Sequence, residues 1–264
     1  MQNNVEVCHD KIAENYDAKC DNDLYMKLYE DVTWDNIKRF LPKNKNSLIF
    51  DAGGGTGRWG IKIAKLGYNV VLTDISKGML KVAEKKIDGN NLSRNINVVR
   101  ADIKNMKMFQ DEKFDLVMCE GDPLSYCGDY KKALKELTRV LKKEGCLIVS
   151  VDNRITNIYH LIKQKKFDEI ENFLRTGNLV IQDSSSYIDF PIHAFTQEEL
   201  KNLFTKNGLK VLRVIGKPVI LHRLIDEMLK NKKSYKNILK LCIRLADNPD
   251  YINFAGHLEI VGLK

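Results

Sequence analysis

Four glycines fall within five positions in the stretch LIFDAGGGTGRWG, residues 48 to 60, directly after a short apolar run that ends in an acid. Each glycine costs roughly 1 kcal/mol against alanine inside regular structure, so such a cluster implies a backbone that takes positive φ or passes close to something else. Leu48, Ile49 and Phe50 read as a buried strand ending at Asp51, and Ile61, Ile63, Ala64 and Leu66 begin a helical pattern beyond the loop. Strand, glycine loop and helix N-terminus make a ligand-binding turn of an open α/β sheet.

Three nucleotide-type readings compete for this turn. A phosphate-binding P-loop needs Lys and then Ser or Thr after its last glycine, and Gly60 is followed by Ile61 and Lys62, so that reading fails. The dinucleotide frame GxGxxG matches Gly55, Gly57 and Gly60, with Asp74 about 20 residues on, which would suit an NAD-dependent oxidoreductase. The frame Asp51-x-Gly53-x-Gly55-x-Gly57 also accounts for Asp51 and Gly53, and it resembles motif I of the class I S-adenosylmethionine-dependent methyltransferases. The resemblance implies an α/β fold with a Rossmann-like seven-stranded, mostly parallel sheet, an antiparallel last strand and helices on both faces. It also implies S-adenosyl-L-methionine as cofactor.

The elements around the loop extend the resemblance. YNVVLTD (Tyr68 to Asp74) reads as a second buried strand ending in an acid, with Ser76 as the N-cap of the next helix. INVVRAD (Ile96 to Asp102) reads as a third. By the family pattern Asp74 accepts the ribose hydroxyls, Asp102 takes the adenine amino group beside the Ile103 amide, and Met79 packs on the adenine ring, with Ile75 and Ala101 flanking. Gly53, Gly54, Gly55 and Gly57 admit the methionine end, and Asp51 orients the loop from beneath. Three acids at consecutive strand ends suit a cofactor with a cationic amino acid end and no phosphate, because a pyrophosphate would be repelled there.

FDLVMCEGDPLSYC (Phe114 to Cys127) reads as strand four and its loop, and by resemblance Cys119 and Glu120 line the cofactor. Nucleobase amino-methyltransferases carry an Asn-Pro-Pro-Tyr-like signature at this point. Here Gly121-Asp122-Pro123-Leu124 stands instead, and Asn248-Pro249-Asp250-Tyr251 falls too late to replace it. Lys131 to Asn153 resembles the family's helix, turn and fifth strand, with Lys143-Glu144-Gly145 at the turn.

Ahead of the loop, Val5 to Tyr16 and Asp23 to Phe40 read as helices, the second stopping before Pro42. The phrase IAENYDA is similar to the N-terminal signature of the ubiquinone/menaquinone-biosynthesis type of small-molecule methyltransferase, which makes Tyr16 a lid residue over the cofactor. A single domain over residues 1–264 is expected, with a helical cover at 1–42, a substrate-lid insertion at 152–195 and a helical insertion at 217–252. The 152–195 piece should hold two short helices and then a polar extended stretch around Ser184 to Ser186. Thr196 and Glu199 form a capping box opening a further helix. Leu209 to Val219 reads as strand six, His222 to Leu245 as helix and Ala255 to Lys264 as the closing strand.

The expected activity is transfer of a methyl group to an O, N or C nucleophile of a small molecule. His193, His160 and Glu120 are the candidate general bases, in that order, because a neutral imidazole titrates near working pH. A metal site is not expected, since Cys119 and Cys127 have no second pair at ligand spacing. The six cysteines without a signal peptide suggest reduced thiols and a cytoplasmic location. No apolar run is long enough to span a membrane. The net charge of +8 comes from lysines spread along helices, which reads as solvated faces first and as nucleic-acid binding second. An RNA methyltransferase using those helices is the alternative from the same chemistry.

Overall fold

The computed structural model describes residues 4–183, 188–220 and 226–264. Two helices come first, α1 (Asn4–Asn22) and α2 (Leu24–Phe40), divided by Asp23, whose side chain accepts from the Tyr25 and Met26 amides at 2.8 and 3.1 Å. The sheet then grows by alternation: β1 (Leu48–Ala52), α3 (Arg58–Ala64), β2 (Asn69–Asp74), α4 (Lys77–Gly89), β3 (Ile96–Arg100), β4 (Phe114–Cys119), α5 (Pro123–Tyr126), α6 (Tyr130–Val140) and β5 (Leu141–Asp152). Helices α7 (Arg154–Lys163) and α8 (Phe167–Thr176) and the hairpin β6 (Asn178–Asp183) and β7 (Ile188–His193) are inserted before α9 (Gln197–Lys206). The chain closes with β8 (Lys210–Lys217), α10 (Asp226–Leu229), α11 (Lys232–Leu245), α12 (Pro249–Ile252) and β9 (His257–Leu263).

Seven strands form one sheet in the order β3-β2-β1-β4-β5-β9-β8, parallel except for β9, which runs against both neighbours. The Rossmann-like architecture with an antiparallel last strand is therefore as the sequence led one to expect. Adjacent residues on the central strands serve opposite layers: Phe50, Val117 and Leu147 pack on one face, Ile49, Leu116 and Ile148 on the other. Parallel strands covered on both faces need such unbroken apolar runs. The strand order reverses between β1 and β4, and the crevice beyond their C-terminal ends is where such sheets bind ligands.

Several boundaries differ from the sequence reading. Strand three stops at Arg100 because Asp102 enters a turn, its carbonyl accepting from the Asn105 amide at 2.8 Å and its carboxylate from the Lys104 amide at 2.9 Å. The hairpin in the insertion was not expected, and the polar stretch at Ser184 to Ser186 lies outside the described residues, as does the start of the helix read from His222. Leu179, Phe190 and Ile192 of the hairpin pack with Leu161 and Phe173 onto Val5 and Cys8 of α1. The insertion is thus built on the N-terminal helix.

Lys217 at the end of β8 is completely buried, its Nζ 2.6 Å from Glu120 Oε2 and also bonded to Glu259. Asn36 of α2 donates to the other Glu259 oxygen, and the ammonium lies 4.5 Å from the centroid of the Tyr29 ring. This cluster joins α2, β4, β8 and β9. Removing one partner of a buried ion pair leaves uncompensated charge and costs about 3–5 kcal/mol. Lys217→Met is expected to lower the unfolding free energy by about that much in urea titrations, and Glu259→Gln added to it should restore a measurable part.

Candidate functional site

Gly53 and Gly54 of the loop are held by contacts that leave no room for side chains. Gly53 lies at φ +70°, and a Cβ there would sit 2.6 Å from Pro123 of the loop after β4. A Cβ on Gly54 would fall 2.7 Å from the Asp51 carboxyl carbon. Asp51 itself is fully buried under the turn, with one oxygen accepting from the Gly60 amide at 2.8 Å and the other without a hydrogen-bond partner among the described residues. Burial pushes its carboxyl up to about 7, against the pull of the Gly60 amide and with a further push from Asp74.

Asp74, at the end of β2, is engaged by backbone on both oxygens: Gly55 donates to one at 2.9 Å and Ser76 to the other at 2.8 Å. Burial raises its carboxyl, and these amides oppose the rise. Ser76 caps α4 as expected, accepting from the Met79 amide at 3.1 Å. A cavity opens over the loop, lined by Gly53, Gly54, Gly55, Asp74, Ile75, Met79, Ala101, Asp102, Ile103, Glu120 and Tyr16. Asp51, Gly57 and Cys119 do not line it. Asp51 and Cys119 are completely buried, and Gly57 packs against Leu72 and Ile61.

Helix α1 forms the roof of this cavity, and one stripe of acids fastens it. Glu6 meets Arg100 at 2.6 Å, and Asp10 accepts from Ser76 Oγ at 2.6 Å and the Gly78 amide at 2.7 Å. Glu14 meets Lys85 at 3.2 Å, and Asp21 meets Arg58 at 2.7 Å. Between them Asp17 accepts from Thr56 Oγ1 at 2.6 Å and from Arg58 at 3.1 Å, and also pairs with Lys86. His9 of the same helix lines the cavity and donates from Nδ1 to the Val5 carbonyl at 2.8 Å. Sequence reading passed over His9, Arg58 and Trp59 as cavity residues, although the acids at helical spacing were a visible signal that α1 lies against something basic.

A second cavity of about 740 Å³ opens beside Asp152 and His257, with Tyr25, Thr156, Asn157, His160 and Phe254 among its walls. The two cavities share the loop after β4: Glu120, Gly121 and Pro123 line the first, and Asp122 lies against His257, which lines the second. Burial beside Asp122 pushes the Asp152 carboxyl up to about 6.

The three expected bases go to three different places. His193 is buried in β7 with Nδ1 2.8 Å from Asn178 Oδ1 and Nε2 2.9 Å from Glu199, its ring stacked on Tyr130 at 4.4 Å. It lines neither cavity and instead pins the hairpin to α9, so the expectation that it faces the site gives way to a structural role. Glu120 reaches the first cavity but is tied to Lys217. His160 lines the second cavity, with Nε2 2.8 Å from Gln164 Nε2, and burial together with Lys163 and Lys166 lowers its pKa below the usual imidazole range.

Residues 49–145 match a family model described as a methyltransferase domain. The chain is 30% identical over 238 residues to the ubiquinone/menaquinone biosynthesis C-methyltransferase of Pectobacterium atrosepticum, covering 83% of this chain and 88% of that protein. It is 21% identical over 262 residues to the tRNA 5-carboxymethoxyuridine methyltransferase of Escherichia coli, covering 97% of this chain and 95% of that protein. The crystal structure of an S-adenosylmethionine-dependent methyltransferase from Methanosarcina mazei superposes with a TM-score of 0.63 at 19% identity, over 87% of this chain and 96% of that one.

The chain belongs to the class I S-adenosylmethionine-dependent methyltransferases. The methyltransferase's first cavity has the composition its cofactor needs. Positive-φ glycines bring bare backbone to one end, Asp74 and Asp102 supply carboxylates along it, and Ile75, Met79 and Ile103 give an apolar slot for a ring. No helix among the described residues is long and apolar enough to cross a membrane.

The raised carboxyl of Asp51 has a consequence for stability. Its folded pKa of about 7 stands above the ordinary value of 3.8, so between these limits the folded state holds a proton that the unfolded state has released. On this group's account the ligand-free methyltransferase loses roughly 1.4 kcal/mol of stability per pH unit as pH rises from about 4 to about 7. Asp51→Asn keeps an acceptor for Gly60 and removes the charge. Denaturant melts of the variant between pH 5 and pH 8 should show a flatter profile than wild type and a higher stability at pH 8.

Proposed function

We propose that this methyltransferase transfers the methyl group of S-adenosylmethionine to a small-molecule acceptor at an O, N or C nucleophile, with the acceptor held in the second cavity. The observation that carries this reading is the second cavity itself. Its volume of about 740 Å³ falls in the range of small-molecule sites, roughly 300–1,000 Å³, and its wall residue His257 lies against Asp122 of the loop that borders the first cavity.

The bound cofactor supplies an electrophilic methyl group on a sulfonium centre, so the protein's work is largely alignment and exclusion of water. In this reading Gly53, Gly54 and Gly55 receive the methionine end, Asp74 accepts the ribose hydroxyls, Asp102 and the Ile103 amide read the adenine, and Met79 packs on the ring. Tyr16 and residues 1–42 close over the cofactor. Asp152 and α7 from the 152–195 insertion, and Pro218 and Ile220 at the start of the 217–252 insertion, wall the acceptor cavity. For an acceptor that sheds a proton, His160 takes it, being the one expected base that lines this cavity, with burial first and its lysine neighbours second disfavouring the charged imidazolium.

A second reading, methylation of RNA, has its own support: the E. coli relative of similar length is named for a modified uridine of tRNA, and this chain carries a net charge of +8. Lys163 stands at the rim of the second cavity beside Tyr159, which is 61% exposed, an arrangement able to meet a phosphate and a base. An acceptor screen by S-adenosylhomocysteine release separates the two readings. Turnover with phenols, amines or activated carbon acids and none with bulk tRNA supports the first. Turnover only with tRNA, weakening steeply between 50 and 200 mM salt, replaces it with the second.

The cofactor assignment has a separate test. Asp74→Ala is expected to weaken S-adenosylhomocysteine binding by about 1–3 kcal/mol in calorimetry, through lost hydrogen bonds to a charged acceptor. Unchanged affinity would remove the ribose role from Asp74.

A further inference from the structure

Three residues from distant parts of the chain meet at the inner wall of the second cavity. Asp122 follows β4, Asp152 ends β5 and His257 begins β9, and the strand register sets Asp152 directly opposite His257. One ligating atom from each lies within 4.8 Å of the other two.

The backbone at Asp122 is committed to this arrangement. The residue adopts φ +65°, a left-handed conformation uncommon outside glycine, while its amide and that of Gly121 donate to Ser150 Oγ at 3.0 and 2.9 Å. It stands at the N-cap of α5, yet its carboxylate makes no capping bond. It is turned to His257 instead, Oδ2 lying 2.8 Å from Nδ1 but off the line of a hydrogen bond. Asp122 and Asp152 are 3% and 7% exposed, and Oδ1 of the first and Oδ2 of the second are buried with no hydrogen-bond partner among the described residues. A His257–Asp122 ion pair would leave one imidazolium to serve two buried carboxylates, with Tyr126 and Asn157 as further hydrogen-bond partners of Asp152. The nearby Lys217 is already shared between Glu120 and Glu259.

We propose that Asp122, Asp152 and His257 form a binding site for a divalent first-row transition-metal ion. Two carboxylates and an imidazole are the ligand types such ions take, and the imidazole disfavours calcium and magnesium. Bonds of about 2.1 Å place adjacent ligand atoms roughly 3 Å apart, close to the 2.8 Å between Asp122 Oδ2 and His257 Nδ1 and inside the 4.8 Å that bounds the whole set. The His257 ring is held edge-on to Tyr29 at 4.9 Å, which fixes the face that Nδ1 presents. The members of this set share no spacing along the chain, and only the sheet brings them together. Three protein ligands leave further positions open toward Thr156, Asn157 and His160, where an acceptor oxygen could complete the shell. That last consequence rests on the reading of this cavity as the acceptor site, whereas the ion's binding does not.

The test uses the full chain, stripped with chelator, and the metal alone. Titration with MnCl₂ followed by electron paramagnetic resonance, and with ZnCl₂ by calorimetry, should show one equivalent bound at micromolar concentration for at least one of the two ions. Asp122→Asn and Asp152→Asn should each weaken that binding about tenfold or more. Asparagine tolerates the left-handed backbone at position 122. S-adenosylhomocysteine affinity, which depends on the other cavity, should stay at the wild-type value and so certify the fold. Absence of binding by wild type up to millimolar MnCl₂ and ZnCl₂ overturns the proposal, as does binding that both variants retain in full. Methyl transfer to an acceptor in metal-free buffer bears on the proposed function and leaves the binding result to stand on its own.

Discussion

The hydrogen bond from the Gly60 amide to the buried Asp51 carboxylate is the constraint on which the rest of the site depends. It ties the first turn of α3 to the end of β1 across the glycine loop, and it works only because Gly54 and Gly60 offer no Cβ to collide with the acid. With the loop drawn down in this way, Gly54 donates to the Thr73 carbonyl at 2.8 Å and Gly55 to Asp74. The acid ending β2 is therefore set by the acid ending β1. Apolar packing of Ile49 and Phe50 on opposite faces of the sheet anchors Asp51 in turn, so core, loop and site form one mechanical series.

Helix α1 closes that series from above with ion pairs where the core uses apolar contacts. Its acids reach Arg58 in α3, Lys85 and Lys86 in α4 and Arg100 at the end of β3. Surface pairs of this kind are individually worth little, about 0–1 kcal/mol each, and respond to salt. A roof held by several such contacts can be firm on average and still detach more readily than a helix packed on an apolar face. The insertion extends the same logic outward, since its hairpin rests on Val5 and Cys8 of α1. Leu161 of α7, the helix that walls the second cavity, lies in the same cluster, so α1 is packed against the supports of both cavities.

The first half of the chain was largely legible in the sequence because its signals are local. Gly53, Asp74 and Asp102 each stand at a strand end, and a strand end can be read from a short apolar run and the residue that stops it. The later residues carry no such signal. His193 looked reactive from its place ahead of a capping box, but the partners that occupy both of its nitrogens, Asn178 and Glu199, are 15 and 6 residues away and could not be read as neighbours. Lys217 carries no local signal of its burial, because Glu120 and Glu259 come to it from parts of the chain far apart in sequence. Asp152 and His257 face each other only through the β5–β9 register, which is fixed by an antiparallel closure after a long helical excursion. Local pattern predicts what a residue does to the backbone, and long-range pairing decides what its side chain meets.

Charge is distributed unevenly between the surface and the site. The chain as a whole carries +8, yet the residues gathered around the two cavities include Asp74, Asp102, Glu120 and Asp152, with Asp51, Asp122 and Glu259 behind them. Arg58 and Lys104 line the first cavity and Lys163 the second, and with Lys217 and His257 they offset part of this. A cationic sulfonium amino acid is attracted to such an interior, and a pyrophosphate is repelled by it, since like charges a few ångströms apart in a partly dry cleft interact by several kcal/mol. Lys163 brings part of the positive surface charge to the second cavity, so there the two kinds of charge meet, Lys163 on α7 and Asp152 at the end of β5.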